Sequence, residues 1–560
     1  MHYVRIRLHY RFMIAMTFYF IVITMFVSCQ TQSDNPVNSK GENRPNVLLV
    51  MVDDMGFTDV GSYGSEINTP HIDKLAQEGV LFTDFHTSVS CSPTRSMLLS
   101  GTDNHLAGLG NMGELLAPNQ KGNPGYEGYL NSNIISLAEV LKGAGYHTYM
   151  AGKWHLGHDK TNIPGARGFE KSFSLLYGGA SHFSDMSGIM PSENPAAYSM
   201  NGEFITELPT DFYSSRSYTD FLMESIRENR TDEKPFLAYL ALTSPHDPLQ
   251  VPEPWMSKYR GAYDNGYEQL RKERIKNTKA LNLIPAEAKP PEIHPMLKPW
   301  QSLTSTEQAY ESRKMEVYAG MVENMDYHLG RMLNFLSDID ELENTIILFL
   351  SDNGSNPWVN TQYPGNEDGV YLSNFNNNID NLGNPTSHIA YGMGWASACS
   401  GPLNYFKMTV GEGGIRTPFI MAGPGIPKGE RHTNFAYVTD IMPTILEMLN
   451  IEKPNSFNGK DVLAMSGKSM SKVFSGEKES VYESNEYVAG EMGNGKWVRK
   501  GNYKAAKVVL PYGPGEWELF DIYLDPGETT DLASQHPKKL EELKADWESY
   551  AKEVGVVLTK

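Results

Sequence analysis

The sequence predicts an α/β fold: a large mixed, mostly parallel sheet sandwiched by helices, followed by a smaller C-terminal α+β subdomain. Three observations carry this expectation. Short apolar runs ending in polar residues recur along the chain, NVLLVMVDD at 46–54, PFLAYLALTSPH at 235–246, TIILFLSDNG at 345–354 and PFIMAGPG at 418–425. Strands buried on both faces read this way, and all four are taken as parallel strands. Between them, Tyr318, Val322, Met325, Leu329, Met332 and Leu336 recur at spacings of three and four, the stripe of an amphipathic helix. After about residue 455 the pattern turns to the strand-like pieces KWVRKGNYKAAKVVL and WELFDIYL, then DPGETTDLA and a charged helix near 537–553. That change marks the subdomain, packed on the first domain.

The chain opens with Arg5, Arg7 and Arg11, the apolar run FMIAMTFYFIVITMFV at 12–27, then Ser28 and Cys29. This is a signal-peptide layout, and the run is shorter than the roughly 20 residues of a spanning helix. Ser28-Cys29 resembles the bacterial lipobox, whose cysteine is acylated, although Phe26 departs from the usual leucine. Residues 1–28 are therefore read as a signal peptide of the lipoprotein type and the polar, turn-rich 29–44 as a tether. Residues 45–454 form the expected catalytic domain and 455–560 the C-terminal subdomain. The expected address is exported, periplasmic or at the cell surface, with the membrane reached only through the lipid anchor. The stretch 355–405, rich in Asn, Gly, Ser and Tyr, is too long for a simple connection. It reads as pocket wall or surface excursion.

At 560 residues the chain exceeds what one core usually organises. Its formal charge of −19, from 48 basic and 67 acidic residues, repels polyanions, so nucleic acid is not an expected partner. Only Cys29, Cys91 and Cys399 occur, too few for a disulfide framework. Cys399 reads as a small buried residue, with a Cys91–Cys399 disulfide as the rival. In α/β sheets the ligand crevice lies beyond the carboxyl ends of the strands, where Asp53, Asp54, His246, Asp352 and Asn353 fall. Asp53, Asp54, Asp352 and Asn353 offer only oxygen donors, the set hard divalent cations prefer. Calcium suits so flexible a cage better than magnesium.

The segment CSPTRSMLLSG at 91–101 carries the pattern C-x-P-x-R. With NVLLVMVDDMGF, GTDNHLAGLGNMGE, AGKWHLG, PHDPLQ, SDNG, EGGIRTP and DPGE in the same order, the chain resembles type I, formylglycine-dependent sulfatases of the alkaline-phosphatase superfamily. The resemblance covers nearly the whole exported part and is strongest to bacterial arylsulfatases. It implies an alkaline-phosphatase-like fold and a Cys91 oxidised to formylglycine by a formylglycine-generating maturation enzyme. It also implies calcium bound by Asp53, Asp54, Asp352, Asn353 and residue 91. The catalytic residues that it implies are Cys91, Arg95, Lys153, His155, His246 and Lys407.

A sulfate ester is anionic, so Arg95, Lys153 and Lys407 would supply positive charge around it. Alternate spacing places Lys153 and His155 on one face of an extended segment. In the mechanism so implied, a hydroxyl of the hydrated formylglycine attacks sulfur and Asp352 takes its proton. His246, helped by Lys407, protonates the departing oxygen, and His155 deprotonates the second hydroxyl. The expected substrates are aryl sulfates or sulfated glycans, including a terminal sulfated galactose or N-acetylgalactosamine. Asn104, His105 and the 355–405 stretch are expected to wall the pocket. One competing reading is a phosphonate monoester or phosphodiester hydrolase of the same superfamily, whose members tend to have histidine where this chain has Asn353. The other is a non-catalytic lipoprotein that binds sulfated glycans, against which the intact Cys91, Arg95, Lys153 and Lys407 argue.

Overall fold

The computed structural model describes residues 44–560. The signal peptide, Cys29 and all but the last residue of the tether lie outside the described residues. Ten strands build the main sheet: β1 Asn46–Val52, β2 Gly79–Phe82, β3 His147–Lys153, β4 Lys171–Leu175, β5 Tyr198–Met200, β6 Glu203–Ile205, β7 Phe236–Ala241, β8 Thr345–Ser351, β9 Phe419–Ala422 and β10 Glu430–His432. Across the sheet they run β10-β2-β9-β8-β1-β7-β3-β4-β5-β6. β1 lies between β7 and β8 and is parallel to both, with Met51 opposite Ala241 and Leu350. β3 is parallel to β7 and to β4. The carboxyl ends of β1, β3, β7 and β8 therefore share one edge, and Asp53, Lys153 and Asp352 come to lie along it.

Alternation along β1 divides its side chains between two cores. Leu48, Val50 and Val52 face one core, and Val47, Leu49 and Met51 the other. The first core is closed by helices α3 (Ser214–Asn229) and α4 (Ser305–Asp338), the second by α1 (Cys91–Ser100), α2 (Leu137–Gly143) and α5 (Ile441–Met448). α4 starts at a capping box between Thr304 and Glu307, which satisfies two end donors reciprocally. Its six expected stripe residues are at most 1 % exposed. Among the described residues no helix is long and apolar enough to cross a membrane.

One strand runs against expectation. β9 is antiparallel to both β8 and β2. The segment before it, through Lys407 and the short helix Glu412–Ile415, already lies at the carboxyl edge. Phe419 starts opposite Leu350, near the end of β8, so the strand has to run back down. Apolarity on both faces reports burial and is silent about direction.

The second sheet, β11 Tyr487–Met492, β12 Gly495–Lys500, β13 Tyr503–Lys507 and β14 Glu518–Asp521, is antiparallel and in sequence order. The sequence reading missed β11, whose Gly490 and Glu491 weaken its strand signal. Trp497, Ala506 and Phe520 join the second core of the main sheet. On the opposite face Val498, Ala505 and Leu519 pack on Leu543, Trp547 and Tyr550 of α6 (Pro537–Val554). Residues Pro45–Lys560 form one compact unit.

Candidate active site

α1 begins at Cys91 because Ser90 holds the extended backbone of an N-cap, with φ −157° and ψ 167°. Pro93 falls in the first turn, where its missing N–H costs nothing, and Gly101 closes the helix in the left-handed region at φ 63°. All ten residues of this helix are buried. Cys91 thus sits at the positive end of a desolvated helix, beside the carboxyl ends of β1 and β8. Its Sγ lies 3.6 Å from Asp53 Oδ1 and 3.9 Å from Asp54 Oδ1, and Lys407 Nζ reaches it at 3.3 Å. Burial pushes the thiol well above its ordinary range against the pull of Lys153 and Lys407. Cys91 and Cys399 are both free thiols, so the rival disulfide is not formed.

Each carboxylate of the centre has its own cation. Lys153 Nζ donates to both oxygens of Asp53 at 2.9 and 2.7 Å. Lys407 Nζ donates to Asp54 Oδ2 at 2.9 Å. Arg95 donates through Nε and Nη2 to Asp352 Oδ2 at 2.9 and 2.7 Å, and through Nη1 to the Lys153 carbonyl at 3.0 Å. Burial raises Asp53 to about 6 in spite of Lys153. For Asp352 burial works in the same direction, but Arg95, Lys153 and Lys407 hold it below the usual carboxylate range. His246 Nε2 lies 3.2 Å from Asp54 Oδ2, and its Nδ1 lies 2.6 Å from the Asp247 carbonyl. Both ring nitrogens thus face acceptors, which suits a proton donor.

The centre gathers groups that could hold a cation: hard carboxylate oxygens from Asp53 and Asp54 beside the softer sulfur of Cys91 and nitrogen of His246. One ligand atom each from Asp53, Asp54, Cys91 and His246 lies within 4.8 Å of the others. Asn353 donates through Nδ2 to Asp54 Oδ1 at 2.7 Å, while its own Oδ1 is buried without a partner. A buried amide oxygen without a partner, on a side chain that touches Asp54, is available as an oxygen ligand.

His155 stands apart from this cluster. The chain leaves the extended conformation there, at φ 56°, so Lys153 and His155 do not share a face of one extended segment. Lys153 turns to Asp53, whereas His155 Nε2 meets Glu114 Oε1 at 3.1 Å. Burial lowers His155 below its ordinary range. With Nε2–H donated to Glu114, the remaining Nδ1 is an unprotonated nitrogen, buried without a partner.

His155, Cys91, His246 and Lys407 line one cleft with Glu114, Glu193, Met112, Leu115, Ile189, Met190, Trp358, Tyr363 and Met408. The 355–405 stretch therefore does wall the pocket, through Trp358 and Tyr363. Asn104 and His105 do not. Asn104 Nδ2 bonds the Leu109 carbonyl, and His105 is bonded to Asp103 and Glu491, away from the cleft. A larger cavity of about 690 Å³, around Phe183, Trp255 and Tyr327, contains none of the cluster, so size alone does not locate the chemistry.

Sequence reasoning missed Glu114, Asp247 and Glu193. Asp247 Oδ1 is 3.2 Å from His246 Nδ1 and accepts from Asn356 Nδ2 at 3.0 Å and from Tyr363 OH at 2.8 Å. Its place directly after His246 was the available signal. Glu114 and Glu193 sit singly in loops, where no spacing distinguishes them from solvated glutamates.

Comparison with known proteins gives a consistent picture. The family model described as Sulfatase matches residues 45–451, and that described as N-sulphoglucosamine sulphohydrolase, C-terminal, matches 403–553. An uncharacterised sulfatase of Schizosaccharomyces pombe is 43 % identical, covering 93 % of this chain and 96 % of its own. The arylsulfatase of Klebsiella aerogenes is 38 % identical, covering 77 % and 92 %. Among solved structures, Ps i-CgsB in complex with k-i-k-neocarrahexaose superposes with a TM-score of 0.64 at 22 % identity, over 91 % of this chain and 93 % of that one. At that identity the likeness is one of fold.

Proposed function

The chain belongs to the sulfatase family, and from that premise we propose that it hydrolyses sulfate monoesters with a formylglycine made from Cys91 and a calcium ion. The ligands of the ion would be Asp53, Asp54, Asp352, Asn353 and residue 91. The observation that carries this reading is the place of Cys91: a neutral, desolvated thiol at a helix N-terminus, within reach of two aspartates and a lysine. A thiol kept neutral there is a poor nucleophile, so in this reading the unmodified Cys91 thiol is not the attacking group. Formed by a maturation enzyme, formylglycine supplies as its hydrate an oxygen nucleophile and a second hydroxyl through which sulfate is released. A bound divalent cation would polarise sulfate oxygens.

The chain's own residues do the rest. Arg95 fixes Asp352, and Lys153 and Lys407 set positive charge beside residue 91. Asp53 Oδ1 lies 3.6 Å from the residue 91 side chain, while Oδ2 of Asp352, the acceptor expected from the sequence, is committed to Arg95. Asp53 is the proton acceptor in this reading, on the strength of that contact. His246, steadied at Nδ1 by Asp247, delivers a proton from Nε2 to the departing oxygen, with Lys407 stabilising its charge. His155 Nδ1, kept free by the bond from Nε2 to Glu114, takes the proton that releases sulfate.

The substrate class extends to sulfated saccharides, since a structural neighbour is described in complex with its substrate D-glucosamine-2-N,6-O-disulfate. Export and anchoring through Cys29 complete the proposal. Mass spectrometry of the residue 91 peptide tests the chemistry: the aldehyde content across preparations should track turnover of 4-nitrophenyl sulfate. A fully active preparation with an unmodified thiol at 91 would sink the mechanism.

A further inference from the structure

One carboxyl group in the cleft has no part in the chemistry at sulfur. Glu193 ends the short turn Pro191–Glu193, next to the small apolar cluster of Ile189, Met190 and Tyr363 packed with Trp358. It lines the same cleft as Cys91, His155, His246 and Lys407. It is only 9 % exposed, and its Oε2 is buried with no hydrogen-bond partner. Glu114, also in the cleft, has His155 as its partner. Buried polar atoms in folded proteins are paired as a rule, and an unpaired one in a binding cleft calls for a partner from outside the chain. The wall beside it is apolar, so that partner arrives with what enters the cleft.

We propose that Glu193 is a specificity-determining residue that hydrogen-bonds a hydroxyl on the alcohol half of the ester, so that the enzyme selects sulfated saccharide units over plain aryl sulfates. This rests on the sulfatase reading of the cleft and adds the alcohol that the cleft takes. The division of labour follows from the lining. Lys407 and the metal-fitting centre receive the sulfate, Trp358 and Tyr363 offer an aromatic wall to the C–H face of a sugar ring, and Glu193 supplies the polar contact that fixes its orientation. Burial, reinforced by the Glu114 charge, pushes Glu193 up to about 8. At neutral pH it is therefore an uncharged acid, able both to donate and to accept, and it does not repel the sulfate. A site that hydrogen-bonds a substrate hydroxyl discriminates strongly against analogues lacking it.

The test compares kcat/KM for 4-nitrophenyl sulfate with kcat/KM for the monosulfates of galactose and N-acetylgalactosamine. Wild type, Glu193→Leu and Glu193→Gln are each assayed with residue 91 verified as formylglycine. Glu193→Leu should lose about 10- to 100-fold on the best saccharide sulfate and stay within about twofold on the aryl ester. It should also melt no lower than wild type, because an apolar side chain replaces an unpaired polar one. Glu193→Gln keeps an uncharged donor and acceptor. It should stay within about fivefold on the saccharide and lose the alkaline fall in kcat/KM that Glu193 imposes near pH 8. Equal losses on both substrates, no loss on either, or a lowered melt of Glu193→Leu overturns the assignment. So does a wild-type enzyme that hydrolyses the aryl ester and none of the saccharides. A wild-type enzyme that hydrolyses no sulfate ester overturns the sulfatase reading itself, and the inference falls with it.

Discussion

Replacing Arg499 with methionine removes the cation that ties the C-terminal sheet to the main domain. From β12, Arg499 donates through Nη1 and Nη2 to the two oxygens of Asp84 at 2.9 and 2.6 Å, and its guanidinium lies 4.7 Å from the centre of the Phe435 ring. Both partners of the pair are 6 % exposed. Asp84, His86 and Glu412 are grouped closely enough to hold an ion. Arg499, Arg416 and Lys504 already balance them, so the cluster reads as a buried ionic joint. Breaking such a pair from one side leaves an uncompensated buried charge and costs about 3–5 kcal/mol.

The pH dependence has a definite sign. Burial opposes ionisation of Asp84, but Arg499 and then Arg416 hold its carboxyl below the usual range. The pair therefore contributes stability above the unfolded value of about 3.9, and that contribution is lost as pH falls through the folded value. In the variant, burial without Arg499 raises Asp84, so the deficit is full at pH 7.5 and narrows at pH 5 as the carboxyl takes a proton. Urea unfolding at fixed calcium measures both. The double variant Asp84→Leu/Arg499→Met should regain most of the loss, since no unpaired charge remains at that pair. A single variant within about 1 kcal/mol of wild type at pH 7.5, or a deficit that widens at pH 5, refutes the reasoning.

Cys91→Ser should stall after about one equivalent of product, since a serine hydroxyl accepts sulfate but has no second hydroxyl to expel it. Sustained turnover by that variant, or no sulfated peptide on mass analysis, contradicts the two-stage reading. His246→Asn should lose roughly 10²- to 10⁴-fold on esters of poorly acidic alcohols and far less on 4-nitrophenyl sulfate, so a series of phenyl sulfates should show a steeper dependence on leaving-group acidity; an unchanged slope removes His246 as the acid. Calcium at about 100 times its dissociation constant should stabilise the chelated protein by about 2.7 kcal/mol without substrate and restore its turnover, whereas an unmoved melt, or zinc as the bound ion, counts against the site. Cys29→Ala should lose an acyl label and leave the membrane fraction, and wild-type protein that takes up no acyl label disproves the anchor.

The central strands were legible because burial on both faces writes continuous apolar runs, and each run stops where the site begins: Asp53 after Val52, Asp352 after Ser351. The order of neighbours was not legible, nor was the direction of β9, since neither alters which residues are apolar. The ordered motifs placed ten side chains, and the structure brings nine of them, Asp53, Asp54, Cys91, Arg95, Lys153, His246, Asp352, Asn353 and Lys407, into one bonded cluster, while His155 pairs with Glu114 instead. What eluded the sequence were single residues in irregular loops. Glu114 and Glu193 acquire meaning only when loops some eighty residues apart wall one cleft. The expected face shared by Lys153 and His155 failed because the left-handed turn at His155 interrupts the two-residue period on which the expectation rested.

The charge pattern explains how a chain of net charge −19 can serve an anionic substrate. Around residue 91 the carboxylates of Asp53, Asp54 and Asp352 are matched by Lys153, Lys407 and Arg95, so the side chains alone offer sulfate little net attraction. They do hold three cations fixed in a desolvated place, where their field is least screened. A divalent ion taken up by the same carboxylates would change the balance. It would satisfy the open Asn353 oxygen and relieve the lysines of part of their hold on the aspartates, leaving Lys407 freer to face an incoming anion. The paired arrangement thus keeps all three cations close to residue 91, each on its own carboxylate. The buried acid Glu193 fits the same logic, because as an uncharged group it adds a polar contact to the cleft without subtracting from that field.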